Sequence, residues 1–107
     1  MVWFDVCGAA DLQPDSGICA LVQDQQIAVF YFANSQKVYA ISNFDPFGQA
    51  NVLSRGLIGD ISGQAVVASP LYKQHFNLET GQCLEDAAVQ IPAYTAQIVN
   101  GRVQISW

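Results

Sequence analysis

Short runs of alternating apolar and polar residues fill most of this chain, and such runs are typical of β-strands. No stretch of about ten residues or more repeats its apolar residues at helical spacing. Residues that favour turns, mainly Gly, Pro, Asn, Asp and Ser, lie between the runs. The predicted strands are Trp3 to Val6, Ile18 to Val22, Ile27 to Ala33, Lys37 to Ile41, Ala65 to Ala68, His75 to Leu78, Tyr94 to Val99 and Arg102 to Trp107.

The clearest local signal is the Asn100-Gly101 pair between the last two predicted strands. A type I′ hairpin turn needs a positive φ at both central positions, and Asn followed by Gly adopts it at low cost. Within Lys37 to Ile41, apolar residues fall on both faces of the strand. Many short strands separated by turn signals predict an all-β fold, an antiparallel sandwich or barrel, in one domain over residues 1–107.

One long segment, Ser42 to Asp60, breaks the strand pattern. Proline and glycine punctuate it, and no period of two residues is visible. Long irregular segments inside a small domain are usually functional. Candidate functional residues are therefore expected in this segment and in the loop after the Ala65 to Ala68 strand.

Composition excludes several function classes. Of 107 residues, 51% are hydrophobic and 12% charged, the net charge is −5, and the basic residues are scattered. Without a basic stripe, nucleic acid and anionic membranes are disfavoured as partners. No apolar run is long enough to span a membrane, and the N-terminus lacks a secretion pattern, so the sequence predicts a cytoplasmic protein. The low charge favours a surface partly covered by a partner.

Two loops flank the predicted strand Ala65 to Ala68, and both contain a proline. The first is Asn43-Phe44-Asp45-Pro46-Phe47 and the second is Ser69-Pro70-Leu71-Tyr72. They resemble the Cys-Pro-His and Cys-Pro-x-His loops of the Rieske family, in which two Cys and two His hold a [2Fe-2S] cluster. The prolines are in register, and the four ligand positions hold Asp45, Phe47, Ser69 and Tyr72.

The resemblance covers nearly the whole chain and is stronger to a cluster-free branch of that family, the small subunits of NAD(P)H-dependent nitrite reductase. The residues that carry it are Asp45-Pro46-Phe47, Val52 to Gly56 and Ser69 to Phe76. The loops lie farther apart along the chain than in cluster-bearing members, so the first loop should follow a different path. The resemblance implies a Rieske-like sheet structure with a loop subdomain at about residues 42–84.

The ligand positions do not suit a cluster. Phe47 has no ligating atom, Asp45 and Ser69 offer hard oxygens, and the single histidine, His75, lies outside the ligand position. We therefore predict no iron–sulfur cluster and no metal in this chain. Asp45 is expected to cap a turn, and Phe47 and Tyr72 are expected to fill the space of the cluster with aromatic bulk.

No catalytic residue is predicted. His75 has no nucleophile suggested beside it, no nucleotide-binding motif occurs, and the cysteines are interpreted as small buried hydrophobes without disulfides. The resemblance implies a non-catalytic subunit that binds a large subunit carrying flavin (FAD), sirohaem and an iron–sulfur cluster, which reduces nitrite to ammonia. The candidate partner contacts are the loop residues Arg55, Lys73 and Gln74, expected to be exposed.

Two alternatives remain open at this stage. One is a cluster-free Rieske-like module that regulates another oxidoreductase or an oxygenase. The stretch Val52 to Gly56 argues against it, because it resembles the nitrite reductase branch. The other is a true Rieske electron carrier, which the missing ligands disfavour.

Overall fold

The computed structural model describes residues 2–106, in which every strand pairing is antiparallel. The strands are β1 (Trp3–Gly8), β2 (Ser16–Val22), β3 (Gln25–Phe32), β4 (Lys37–Ser42), β5 (Phe44–Asp45), β6 (Ala50–Asn51), β7 (Leu57–Ile61), β8 (Gln64–Ala68), β9 (His75–Asn77), β10 (Ala93–Val99) and β11 (Arg102–Ser106). Two short 3₁₀ turns lie at Ala9–Asp11 and Leu53–Arg55. The predicted all-β class is confirmed.

A curled sheet of six strands, in the order β1-β11-β10-β4-β3-β2, forms the body of the molecule. Strand β3 lies near one end of this order and is buried on both faces. Ile27 and Val29 contact one apolar core, inside the curl, whereas Ala28 and Phe30 contact a second core on the opposite face. This double burial explains the continuous apolar run in β3, since a strand covered on one face alone would alternate.

Two smaller sheets cover the second core. Strands β5 and β6 form a two-stranded ladder, and β7, β8 and β9 form a three-stranded one. The three-stranded sheet supplies Val67 from β8 and Phe76 from β9 to the second core, and Leu53 joins them from its 3₁₀ turn. The two loops that flank β8 therefore lie at the end of the molecule formed by the small sheets.

The segment Ser42 to Asp60 is more regular than its sequence predicts. It contains β5, β6 and most of β7. Strand β7 escaped prediction because Gly59 and exposed Leu57 interrupt the alternation of apolar and polar residues. Its pairing with β8, from Leu57↔Ala68 to Ile61↔Gln64, supplies the order that the local pattern lacks.

The last hairpin forms as predicted. Asn100 and Gly101 have φ values of 51° and 75°, and β10 pairs with β11 on either side of them. The predicted strand extended to Trp107, which lies outside the described residues. No helix in the part of the chain that is described is long and apolar enough to cross a membrane.

Candidate functional site: the two loops beside β8

The two loops are joined by a buried hydrogen bond between the residues at the two cysteine positions. The hydroxyl of Ser69 donates to Oδ2 of Asp45, 24 residues earlier in the chain. Asp45 is fully buried and Ser69 is 1% exposed. A buried carboxylate is costly unless several donors satisfy it, so the surroundings of Asp45 determine whether this arrangement is stable.

The remaining donors to Asp45 come from its own loop. Its Oδ1 accepts the backbone N–H groups of Phe47 at 2.9 Å and of Gly48 at 3.3 Å. This is the turn-capping role predicted for Asp45, and it holds the first loop closed around the proline. With both oxygens occupied by protein donors, the carboxylate serves the loop structure.

The second loop is a tight turn around Ser69. Its N–H donates to the carbonyl of Gln74 at 2.9 Å, and its carbonyl accepts from the N–H of Lys73 at 3.1 Å. The hydroxyl oxygen of Ser69 also accepts the N–H of Leu71 at 3.2 Å. The side chain that reaches Asp45 is therefore held at several points within its own loop.

Of the two aromatic residues at the histidine positions, only Phe47 packs inside. Its ring centroid lies 6.2 Å from that of Phe76, and it contacts the second core. Tyr72 is 63% exposed. The expectation that both rings fill the space of a cluster is therefore wrong for Tyr72, whose ring is mostly in contact with solvent.

Asn43 is a site residue that sequence reasoning missed. It is 1% exposed, its Oδ1 accepts the N–H of Ser54 at 2.7 Å, and its Nδ2 donates to Oε1 of Gln26 at 3.2 Å. Asn43 thus anchors the start of the first loop to strand β3. A single asparagine between two strands carries no pattern that distinguishes it from a turn residue, so the sequence offered no signal.

A depression of about 370 Å³ opens beside the second loop, where β7 and β9 begin and β8 ends. Its lining is mostly apolar, with Leu57 and Pro70 among the contributors, and Arg55 and Lys73 also line it. Two of the three predicted contact residues are thus brought to one place and are exposed.

The third predicted contact residue, Gln74, is only partly exposed. Its backbone carbonyl is used by Ser69, and its side-chain Oε1 is buried without a hydrogen-bond partner among the described residues. The expectation that Gln74 is an exposed loop residue is therefore wrong, because the tight turn draws it against the small sheet.

His75 also lines the depression and is oriented by Glu85. Its backbone N–H donates to Oε1 of Glu85 at 2.7 Å, and its ring Nδ1 lies 2.6 Å from Oε2. Burial raises the pKa of the Glu85 carboxyl, but the hydrogen bonds from the backbone and ring of His75 and the His75 charge outweigh this effect. The pKa of Glu85 lies below its ordinary value as a result.

The three cysteines differ in their exposure to solvent. Cys83 is buried, Cys7 is partly buried and Cys19 is exposed, and all three are free thiols. The expectation of three buried cysteines is thus wrong for Cys19. Burial is the main cause that raises the pKa of Cys7 and of Cys19 above the ordinary thiol value, and a raised pKa disfavours the reactive thiolate at neutral pH.

The donor atoms at the loops do not fit a [2Fe-2S] cluster. Phe47 offers no ligand atom and packs against the second core. The hydroxyl of Ser69 and the carboxylate of Asp45 are hydrogen-bonded to each other. A Rieske cluster needs two thiolates and two imidazoles. Across residues 2–106 no group of three or more His, Cys, Asp and Glu side chains is placed to hold a metal ion.

Comparison with known proteins identifies the family of this chain. The family described as "Rieske-like [2Fe-2S] domain" matches residues 2–106. The small subunit of nitrite reductase (NADH) from Escherichia coli K12 is 47% identical over 103 residues, which cover 96% of this chain and 95% of that protein. The chain belongs to the family of nitrite reductase small subunits.

Two further similarities extend this family assignment. The solution structure of the nitrite reductase [NAD(P)H] small subunit from Erwinia carotovora is 54% identical, with a TM-score of 0.81, covering 98% of this chain and 81% of that one. The nitrite reductase [NAD(P)H] large subunit of Klebsiella oxytoca contains a region 38% identical to 96% of this chain. That region makes up 11% of the larger protein.

Proposed function

We propose that this chain is the small subunit of an NAD(P)H-dependent nitrite reductase and binds the large subunit that reduces nitrite to ammonia. The observation that carries the proposal is the 47% identity to a nitrite reductase small subunit over nearly the full length of both proteins. We further propose that FAD, sirohaem and an iron–sulfur cluster belong to the large subunit, as the resemblance implies, and that the complex is cytoplasmic.

The similarity to part of a large subunit supports the partnership. In the Klebsiella protein, a segment similar to this chain belongs to the same polypeptide as the rest of the large subunit. Covalent linkage gives two domains a high effective concentration. A separate chain must obtain the same association from its surface, and this chain carries an apolar depression flanked by Arg55 and Lys73.

The role we propose is non-catalytic. Asp45 and Ser69 are hydrogen-bonded to each other, and the ring of His75 pairs with Glu85, with no Ser or Cys nucleophile at hydrogen-bond distance among residues 2–106. The chain would act by stabilising the assembly or active conformation of the large subunit. The contacts we propose are Arg55 and Lys73 in the loop subdomain at about residues 42–84, with Gln74 acting through the turn that it closes.

The test is reconstitution of the purified large subunit with and without this chain. We expect a complex on size-exclusion chromatography, together with faster nitrite-dependent oxidation of NADH or NADPH. If the two proteins do not associate and the rate of nitrite reduction does not change, the proposal is wrong.

A second experiment tests the proposed absence of a cluster. Iron analysis and the visible spectrum of the chain, purified without oxygen, should show no iron and no iron–sulfur absorption. The matched comparison is a cluster-bearing Rieske ferredoxin prepared in the same way. Stoichiometric iron in this chain would refute a purely structural role for the loops.

A further inference from the structure

The depression beside the second loop combines an apolar lining with positive charge, which is scarce in this chain. The chain has only four basic residues and a net charge of −5. Two of the four, Arg55 and Lys73, line this one depression. Positive charge is thus concentrated at one apolar site on an otherwise acidic protein.

The other two basic residues have acidic neighbours. Arg102 forms an ion pair with Asp5, with Nη2 2.7 Å from Oδ2. Lys37 lines a shallow depression that also contains Glu79. Within residues 2–106, no carboxylate lies within ion-pair distance of Arg55 or Lys73, and no acidic residue lines the depression that they share. Their charges are therefore available to a partner.

Exposed apolar side chains occur in the depression and in the loop next to it. Leu57, which lines the depression, is 81% exposed, and in the second loop, between Pro70 and Lys73, Leu71 is 47% and Tyr72 63% exposed. Exposed apolar surface rimmed by charge is typical of a protein interaction site. Arginine and tyrosine are also enriched among the residues that contribute most to binding at such sites.

We propose that the depression receives an apolar side chain of the large subunit, presented next to a carboxylate that pairs with Arg55 and Lys73. This inference rests on the proposed function and specifies the chemistry of the partner segment, which is short, acidic and apolar. Charge complementarity favours an acidic segment over a basic or neutral one, because only an acidic segment pairs with both cations.

The experiment measures the dissociation constant of the complex between the large subunit and variants of this chain. Leu57→Ser removes apolar surface. Lys73→Gly removes a charge at a position whose φ is 63°, which glycine adopts without steric cost, so the fold should be kept. The controls are Leu21→Ser, at a leucine that is 71% exposed and does not line the depression, and Lys37→Gln, at a lysine in a different depression.

We expect Leu57→Ser and Lys73→Gly each to weaken binding about tenfold, which corresponds to about 1.4 kcal/mol. The controls should bind within about twofold of the unmodified chain. Added salt should weaken the unmodified complex, and it should weaken the complex of an Arg55→Gln/Lys73→Gly double variant less, since screening then has fewer charge pairs to act on. Circular dichroism and urea unfolding confirm that each variant is folded.

The outcomes separate this inference from the proposed function. If the unmodified chain binds the large subunit and the depression variants bind equally well, the inference is wrong and the proposed function stands. If the unmodified chain does not bind, both fail. If Leu57→Ser abolishes self-association in sedimentation experiments and leaves binding to the large subunit unchanged, the depression is a contact between copies of this chain, and the inference is again wrong.

Discussion

The hydroxyl of Ser69 and the carboxylate of Asp45 form a buried hydrogen bond at the two positions that hold cysteine in cluster-bearing Rieske loops. In those relatives an iron atom joins the two loops through two thiolates. Here a direct contact between two side chains joins them. The two loops are therefore cross-connected through their own side chains.

Removal of the Ser69 hydroxyl should destabilise the protein. Ser69→Ala leaves the buried Asp45 carboxylate with one donor fewer, at a cost of about 2 kcal/mol, since hydrogen bonds to charged groups contribute more than neutral ones. Urea unfolding measures the change in the free energy of unfolding. Ser35→Ala, at an exposed turn position, is the matched control and should change it little. Equal effects of the two variants would contradict the structural role of this bond.

Truncation of the two aromatic residues should change the free energy of unfolding to very different extents. Phe47→Ala opens a cavity against Phe76 and should lower the free energy of unfolding by about 2–4 kcal/mol, less than for a fully buried phenylalanine. Tyr72→Ala should leave it nearly unchanged, because the ring is 63% exposed. Thermal and urea unfolding of the two variants test this. A large loss of stability in Tyr72→Ala would show that its ring packs inside.

Gly56 should be intolerant of a side chain for steric reasons. A Cβ there would lie 2.3 Å from the backbone oxygen of Ala68, so Gly56→Ala must push β7 away from β8. We expect a loss of about 1–3 kcal/mol, as for overpacking in a core. Gly59→Ala, three residues later within β7 and with nothing within 4 Å of its Cβ, is the control. It should be neutral or slightly stabilising, because glycine weakens a strand interior.

The His75–Glu85 pair should contribute to the pH dependence of stability. The pKa of Glu85 is lowered from its ordinary value of 4.5, so its contribution is present above pH 4.5 and is lost as the pH falls through the lower folded-state pKa. In Glu85→Gln, stability should decline less steeply over this range. The decline that remains includes Asp5, whose pKa is lowered mainly by its hydrogen bond from Arg102.

Unfolding midpoints measured between pH 3 and pH 6, a range of about one to two units on either side of a carboxyl pKa, test this prediction. Glu79→Gln, at an exposed turn position, serves as the control. If the profile of Glu85→Gln matches that of the unmodified chain, the pair does not stabilise the fold. The interaction is partly exposed, so its effect should be modest.

The sequence by itself determined the class of fold and the absence of iron–sulfur ligands at the two loops. Strands such as β3 and β10 are visible because apolar runs and the Asn100-Gly101 turn are local signals, set by residues adjacent in the chain. The absence of thiolate and imidazole at the loops is likewise a matter of residue types. So is the capping role of Asp45, since an Asx turn involves only the next few residues.

Only the tertiary structure decided which side chains meet. The bond between Ser69 and Asp45 and the burial of Asn43 depend on contacts between segments more than ten residues apart. Phe47 packs against Phe76 and the second core whereas Tyr72 is exposed, and strand β7 exists because β8 pairs with it. A local pattern carries no information on such partners, because they are fixed by how the sheets pack against one another.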